Sequence, residues 1–132
     1  DDMIDSRLED YLEAKALMGQ GDNQKAATLL SSVAGYKTSR AWFGSGNLLT
    51  ALALRELGKE AEADRMVASW ETDFPENRIT QWCAAVYRGE MEKASGMLKS
   101  RNEQVDKTPW ETSFRDSNFD LIVRLFLSKM KT

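Results

Sequence analysis

Along this chain large apolar side chains recur every three or four positions, with charged and amide residues filling the gaps. No run alternates apolar and polar residues long enough for a strand, so the spacing predicts helices throughout. The first is expected to start after Ser6, where Ser6-x-x-Glu9 has the form of a capping box. It then passes Leu8, Tyr11, Leu12, Lys15 and Met18 to stop near Gly19. A second follows Asp22, a good N-cap, and carries Ala26, Leu29, Leu30 and Val33 on one side before AGYKTS breaks the pattern. The third is read over about Ser39 to Leu57, with Gly58 ending it. The glycines of GSG (44–46) fit poorly inside that helix, since each costs about 1 kcal/mol relative to Ala. They imply a close helix crossing or a true start nearer Asn47.

A fourth helix is expected over about Glu60 to Thr72, after which DFPEN places Pro75 where a new helix would begin. The fifth spans about Glu76 to Arg88 and the sixth about Glu90 to Ser100. RNEQVDK (101–107) reads as a linker, and Thr108-Pro109-Trp110-Glu111 after it again has capping-box form, predicting a short helical turn. The last helix, about 116–130, carries Phe119, Ile122, Val123, Phe126, Leu127 and Met130 at helical spacing. Leu121 and Leu125 widen that stripe, and Asp120, Arg124 and Ser128 mark its polar face.

Three of the corners between helices are alike: GQGDNQKAATLL (19–30), ELGKEAEADRMV (56–67) and YRGEMEKASGML (87–98). With Gly21, Gly58 and Gly89 superposed, Ala26, Ala63 and Ala94 follow five residues later. Leu29-Leu30, Met66-Val67 and Met97-Leu98 come eight and nine later. Seven before the glycines stand Ala14, Ala51 and Trp82, and four before stand Leu17, Leu54 and Ala85. Gly21 to Gly58 is 37 residues and Gly58 to Gly89 is 31, a mean of 34. Gly at such a corner lets the chain turn left-handed, and Ala keeps the second helix thin enough for close approach.

Two helices per period of about 34 residues, with these residue types, resembles the tetratricopeptide repeat. The resemblance covers about residues 7–107. It implies an all-α, helical-hairpin solenoid of about seven antiparallel helices, forming a single domain over 1–132 with repeats at about 7–38, 39–75 and 76–107. The terminal helix is then a cap on the exposed end of the stack, or alternatively a docking stripe. The third copy departs most, with Trp82 where the family has a small residue and Ala85 where it has a large one. In this family the first helices of successive repeats line a concave face. The positions that inherit that role are Tyr11, Lys15 and Met18; Leu48, Leu52 and Arg55; and Ile79, Cys83 and Val86, with Tyr87 beside them. Each set is spaced i, i+4, i+7 along one side of its helix, and the same stripes could serve only to pack on the terminal helix. Leu12, Leu49 and Thr80 stand where the carboxylate-clamp type uses asparagines, so a chaperone-tail receptor is not expected.

Composition removes competing chemistries. With no histidine and one cysteine, Cys83, the chain can build neither a zinc site nor an imidazole-based nucleophilic triad, so no metal, cofactor or catalytic residue is expected. Asp and Glu are plentiful but cluster on faces that read as solvated, at residues 1–14 and 55–76, rather than across an apolar cleft. A formal charge of -3 and the balance of five basic against four acidic side chains over 88–107 speak against nucleic acid as a partner. LLTALAL (48–54) and LIVRLFL (121–127) are too short to span a bilayer. The phosphate-loop look of residues 19–25 fails on spacing and on the helix before it. The expectation is a non-catalytic protein-interaction or assembly module, binding a protein or peptide, and a segment of a longer polypeptide. The competing reading is an accessory domain packing in cis against a catalytic or carbohydrate-processing domain.

Overall fold

The computed structural model describes residues 5–103, 110 and 118–130. Its described residues form seven α-helices and no strand: α1 (Arg7–Gly19), α2 (Asn23–Ala34), α3 (Gly46–Glu56), α4 (Glu60–Asp73), α5 (Arg78–Tyr87), α6 (Met91–Asn102) and α7 (Phe119–Met130). The helical spacing of apolar residues therefore reads correctly as an all-α chain. Consecutive helices pack on one another from α1 through α7, and α3 also touches α1 and α5. The first, third and fifth helices thus form a contiguous row. From Gly46 to Leu54 every residue of α3 is buried, as suits a helix with neighbours all round.

The three glycine corners have one geometry. Gly21, Gly58 and Gly89 have φ of 85°, 83° and 75°, the left-handed region that a side chain disfavours. In each corner the residue after the glycine donates its N–H to a carbonyl five residues back: Asp22 to Leu17 at 2.9 Å, Lys59 to Leu54 at 2.9 Å and Glu90 to Ala85 at 2.8 Å. The glycine N–H donates to the carbonyl three residues before it, Met18, Arg55 or Val86, completing a Schellman-type ending. The same following residue then opens the next helix, its carbonyl accepting the N–H of Ala26, Ala63 or Ala94. Those three alanines are fully buried, at the approach of the two helices. A Cβ placed on any of the three glycines would meet no atom within 4 Å, so their requirement is one of backbone angle, not of space.

Helix boundaries depart from expectation where capping chemistry was misread. Ser6 makes no side-chain cap; its hydroxyl donates to Asp10, and the Asp5 carboxylate accepts the Arg7 N–H instead. Asp22 does cap α2, accepting from the Lys25 N–H. The third helix starts at Gly46, not near Ser39, which answers the difficulty of placing two glycines inside it. The preceding segment is irregular and is anchored by Phe43, buried edge-on against Trp70 at 5.1 Å and Phe74 at 5.7 Å. Asn77 rather than Pro75 opens α5, its side chain accepting the Thr80 N–H at 3.0 Å. The turn expected at Thr108–Glu111 lies outside the described residues except for Trp110, as does most of the linker read at 101–107.

At the far end, Trp82 is fully buried, and its ring meets Phe119 and Phe126 of α7 edge-on at 5.5 and 6.4 Å. Arg101 joins α6 to the same cluster, lying over the Trp110 and Phe119 rings and pairing with Asp120. The exchange of large and small residues in the third corner thus has a steric reason. Ala85 leaves room at the turn while Trp82 fills the space under α7.

Replacing Gly58 by Ala is expected to lower stability by about 1 kcal/mol through its left-handed φ alone, with Asn costing less. Gly96→Ala, on the exposed side of α6 with nothing near its Cβ, is expected to raise stability by about 0.5–1 kcal/mol. Urea unfolding of the two variants checks these opposite signs; a Gly58→Ala protein as stable as the parent would remove the argument from backbone angle.

Candidate functional site

The row α1, α3, α5 carries the ten positions assigned to a concave face, and most of them are closed to solvent. Tyr11, Leu48, Leu52, Ile79, Cys83, Val86 and Tyr87 are all buried, while Lys15, Met18 and Arg55 are exposed. Side chains at the C-terminal ends of these helices tie one to the next. Lys15 of α1 forms an ion pair with Glu56 of α3. Arg55 of α3 donates to the Tyr87 carbonyl of α5 at 2.9 Å and stacks on the Tyr87 ring with 4.7 Å from its Cζ to the centroid. The Tyr87 hydroxyl donates to Asp64 at 2.6 Å. The structure therefore brings Lys15, Arg55 and Tyr87 into one band of contacts and leaves Met18 as its exposed apolar member.

Two tyrosines of this row have raised pKa values. Burial, then the hydrogen bond and charge of Asp64, push Tyr87 up to about 12. Burial followed by the charge of Glu56 pushes Tyr11 well above the ordinary tyrosine range. No group of three or more potential metal-ligating Asp, Glu, His or Cys residues occurs among the described residues.

The densest polar cluster lies elsewhere and was not singled out from the sequence. Arg7 is only 3% exposed, yet its guanidinium is closely satisfied. It donates to Asp5 through Nε at 3.0 Å and Nη2 at 2.7 Å, and through Nη1 to Asn47 Oδ1 at 2.9 Å and Thr50 Oγ1 at 3.1 Å. Thr50 in turn donates to the Val33 carbonyl near the end of α2 at 3.0 Å. The Tyr36 ring closes the arrangement, 3.8 Å from Arg7 Cζ. A Cβ on Gly46 would stand 2.5 Å from Arg7 Nη2, so glycine here is required for space. One cation thus joins α1, the end of α2, the following loop and the start of α3. The sequence signal was present: Arg7 continues the buried stripe of Tyr11 and Ala14 at i, i+4, i+7, opposite the GSG stretch. Arg7 stands, however, inside residues 1–14, the acidic segment that reads from sequence as a solvated face.

Two concavities open on the described surface. A small cleft of about 260 Å³ lies between the loop before α3 and helix α4, with the Arg40–Asp73 ion pair among its walls. A larger groove of about 920 Å³ lies between α6 and α7, with Leu98, Val123 and Leu127 as its apolar lining and Lys99, Arg101 and Arg124 among its charges.

No family model matches the chain, and no curated protein or solved structure is similar to it. No helix among the described residues is long and apolar enough to cross a membrane.

The Arg7 cluster makes two measurable demands. Gly46→Ala should cost more than about 1 kcal/mol in the parent but close to nothing in an Arg7→Ala background, because the clash exists only with the guanidinium present. Equal costs in the two backgrounds would refute that coupling. Burial pushes the Asp5 carboxyl up, but hydrogen bonds and charge from Arg7 outweigh it and hold the group below its ordinary value of 3.8. A carboxyl lowered on folding stabilises fully above its unfolded value and loses that contribution as pH falls through the folded one. The parent should therefore lose stability below about pH 4 by a step that Asp5→Asn lacks. Asp5→Asn should already be less stable near neutrality by about 2 kcal/mol, since the buried cation loses its carboxylate. Chemical unfolding at a series of pH values separates the two.

Proposed function

We propose that this chain is a helical-hairpin array of the tetratricopeptide type, acting as a non-catalytic protein-interaction or assembly module. The observation that carries the reading is the recurrence of one corner, with the same glycine angle, the same pair of hydrogen bonds and the same buried alanine, at Gly21, Gly58 and Gly89. Contacts of α3 with both α1 and α5 support the stacking of hairpins that such an array requires. A protein or peptide is the expected partner, not nucleic acid, and no cofactor is invoked.

The burial of Leu48, Leu52, Ile79, Cys83 and Val86 under the chain's own helices leaves little open concave surface, and the second reading is an accessory domain that packs in cis beside a catalytic or carbohydrate-processing domain and reads no free peptide. On the first reading the binding band reduces to its open members, Lys15, Met18 and Arg55.

Immobilised full chain should retain a defined protein from native lysate, and Arg55→Glu should release it at unchanged helix content. Retention only of other parts of its own polypeptide would favour the accessory domain. Turnover of a substrate by the isolated chain would contradict both readings.

A further inference from the structure

The exposed large apolar side chains among the described residues sit on the first and last helices only: Leu12 and Met18 on α1, Leu121 and Leu127 on α7. A stacked array buries each unit against its neighbour, so apolar groups left open at both ends mark surfaces with an unmet partner. The two ends also differ in charge. On α1, Glu9, Leu12, Glu13 and Ala16 are all exposed and are spaced i, i+3, i+4, i+7, which puts them on one outward face. That face is a leucine flanked by two carboxylates. The nearby cations are occupied, Arg7 within its buried cluster and Lys15 with Glu56.

The groove between α6 and α7 is the complement. Leu98, Val123 and Leu127 line it, Lys99 and Arg124 are exposed on it, and its two acids are Asp120, paired with Arg101 at 3.4 Å, and Glu103. With that pair cancelled, two cations face one carboxylate. The groove, about 920 Å³, is open enough to admit side chains from a helical face.

We infer that the outward face of α1 in one copy of this chain docks in the α6/α7 groove of a second copy, with Leu12 against Leu98, Val123 and Leu127, and with Glu9 and Glu13 toward Lys99 and Arg124. The contact joins two different surfaces, so it is heterologous and leaves a free α1 face and a free groove at the ends of every complex. Growth therefore passes two copies, into an open chain or a ring of three or more. Because the charged rims are exposed, the association weakens with salt. The contact uses neither Lys15 nor Arg55, so it stands or falls independently of the band proposed above.

Sedimentation of the full chain across a wide concentration range tests this. The weight-average mass should climb past twice the 14.9 kDa of one chain and fall back at high salt. Leu12→Glu, which spoils only the α1 face, and Arg124→Glu, which spoils only the groove, should each be monomeric at unchanged helix content. Mixed, they should form a one-to-one pair that stops at two copies, since each supplies the surface the other lacks. Glu13→Lys combined with Arg124→Glu in one chain should recover association. A parent that stays monomeric throughout, one that stops at a dimer, or a mixture of the two variants that fails to pair would overturn the inference.

Discussion

Each hairpin in this protein depends on a single backbone event, the capture of an orphan helix carbonyl by the N–H that follows a left-handed glycine. Leu17, Leu54 and Ala85 supply those carbonyls, and Asp22, Lys59 and Glu90 the donors. Because the donor residue is also the first acceptor of the next helix, there is no loop in which the reversal could vary. The two helices leave the corner in a set relation, with a buried alanine at the first point of approach. Three repetitions of that constraint account for most of the architecture, and the even-numbered helices end differently: Gly35 after α2, for example, has φ of -86°.

Where the corner does not operate, specific side chains take over. The passage from α2 to α3 is long and irregular, and it is held by Phe43 against Trp70 and Phe74 and by the Arg7 cluster at its two ends. Burying a guanidinium is costly in itself, and the arrangement is tolerable because Asp5, Asn47, Thr50 and the Tyr36 ring meet it together. Its consequence is geometric: α1 cannot slide on α3 without stranding a charge. At the opposite end the aromatic contacts of Trp82 with Phe119 and Phe126 seat α7 on α5.

The elements most legible in the chain were those governed by local rules. Apolar spacing located all seven helices, and Asp22 and the glycine corners were readable because capping and left-handed φ are demands that a few adjacent residues satisfy. The errors arose where a local signal had a non-local competitor. Ser6 and Pro75 have the form of helix starts, but the Asp5 carboxylate takes the Arg7 N–H, and Asn77 caps the first turn of α5. The proposed concave stripes show the same limit. Their spacing was correct, yet which faces of α3 and α5 are covered depends on neighbours far along the chain, and the buried row left only Lys15, Met18 and Arg55 open.

The sequence by itself determined the helical class, the three-fold recurrence of the corner and the absence of imidazole and paired-thiol chemistry, because periodicity, glycine and composition act within a few residues or not at all. Only the tertiary structure decided that Gly46 makes space for an arginine, that Trp82 packs against the last helix, and that open leucines remain on the first and last helices. Those facts rest on what each side chain meets across the fold, and no stretch of sequence contains both partners of such a contact.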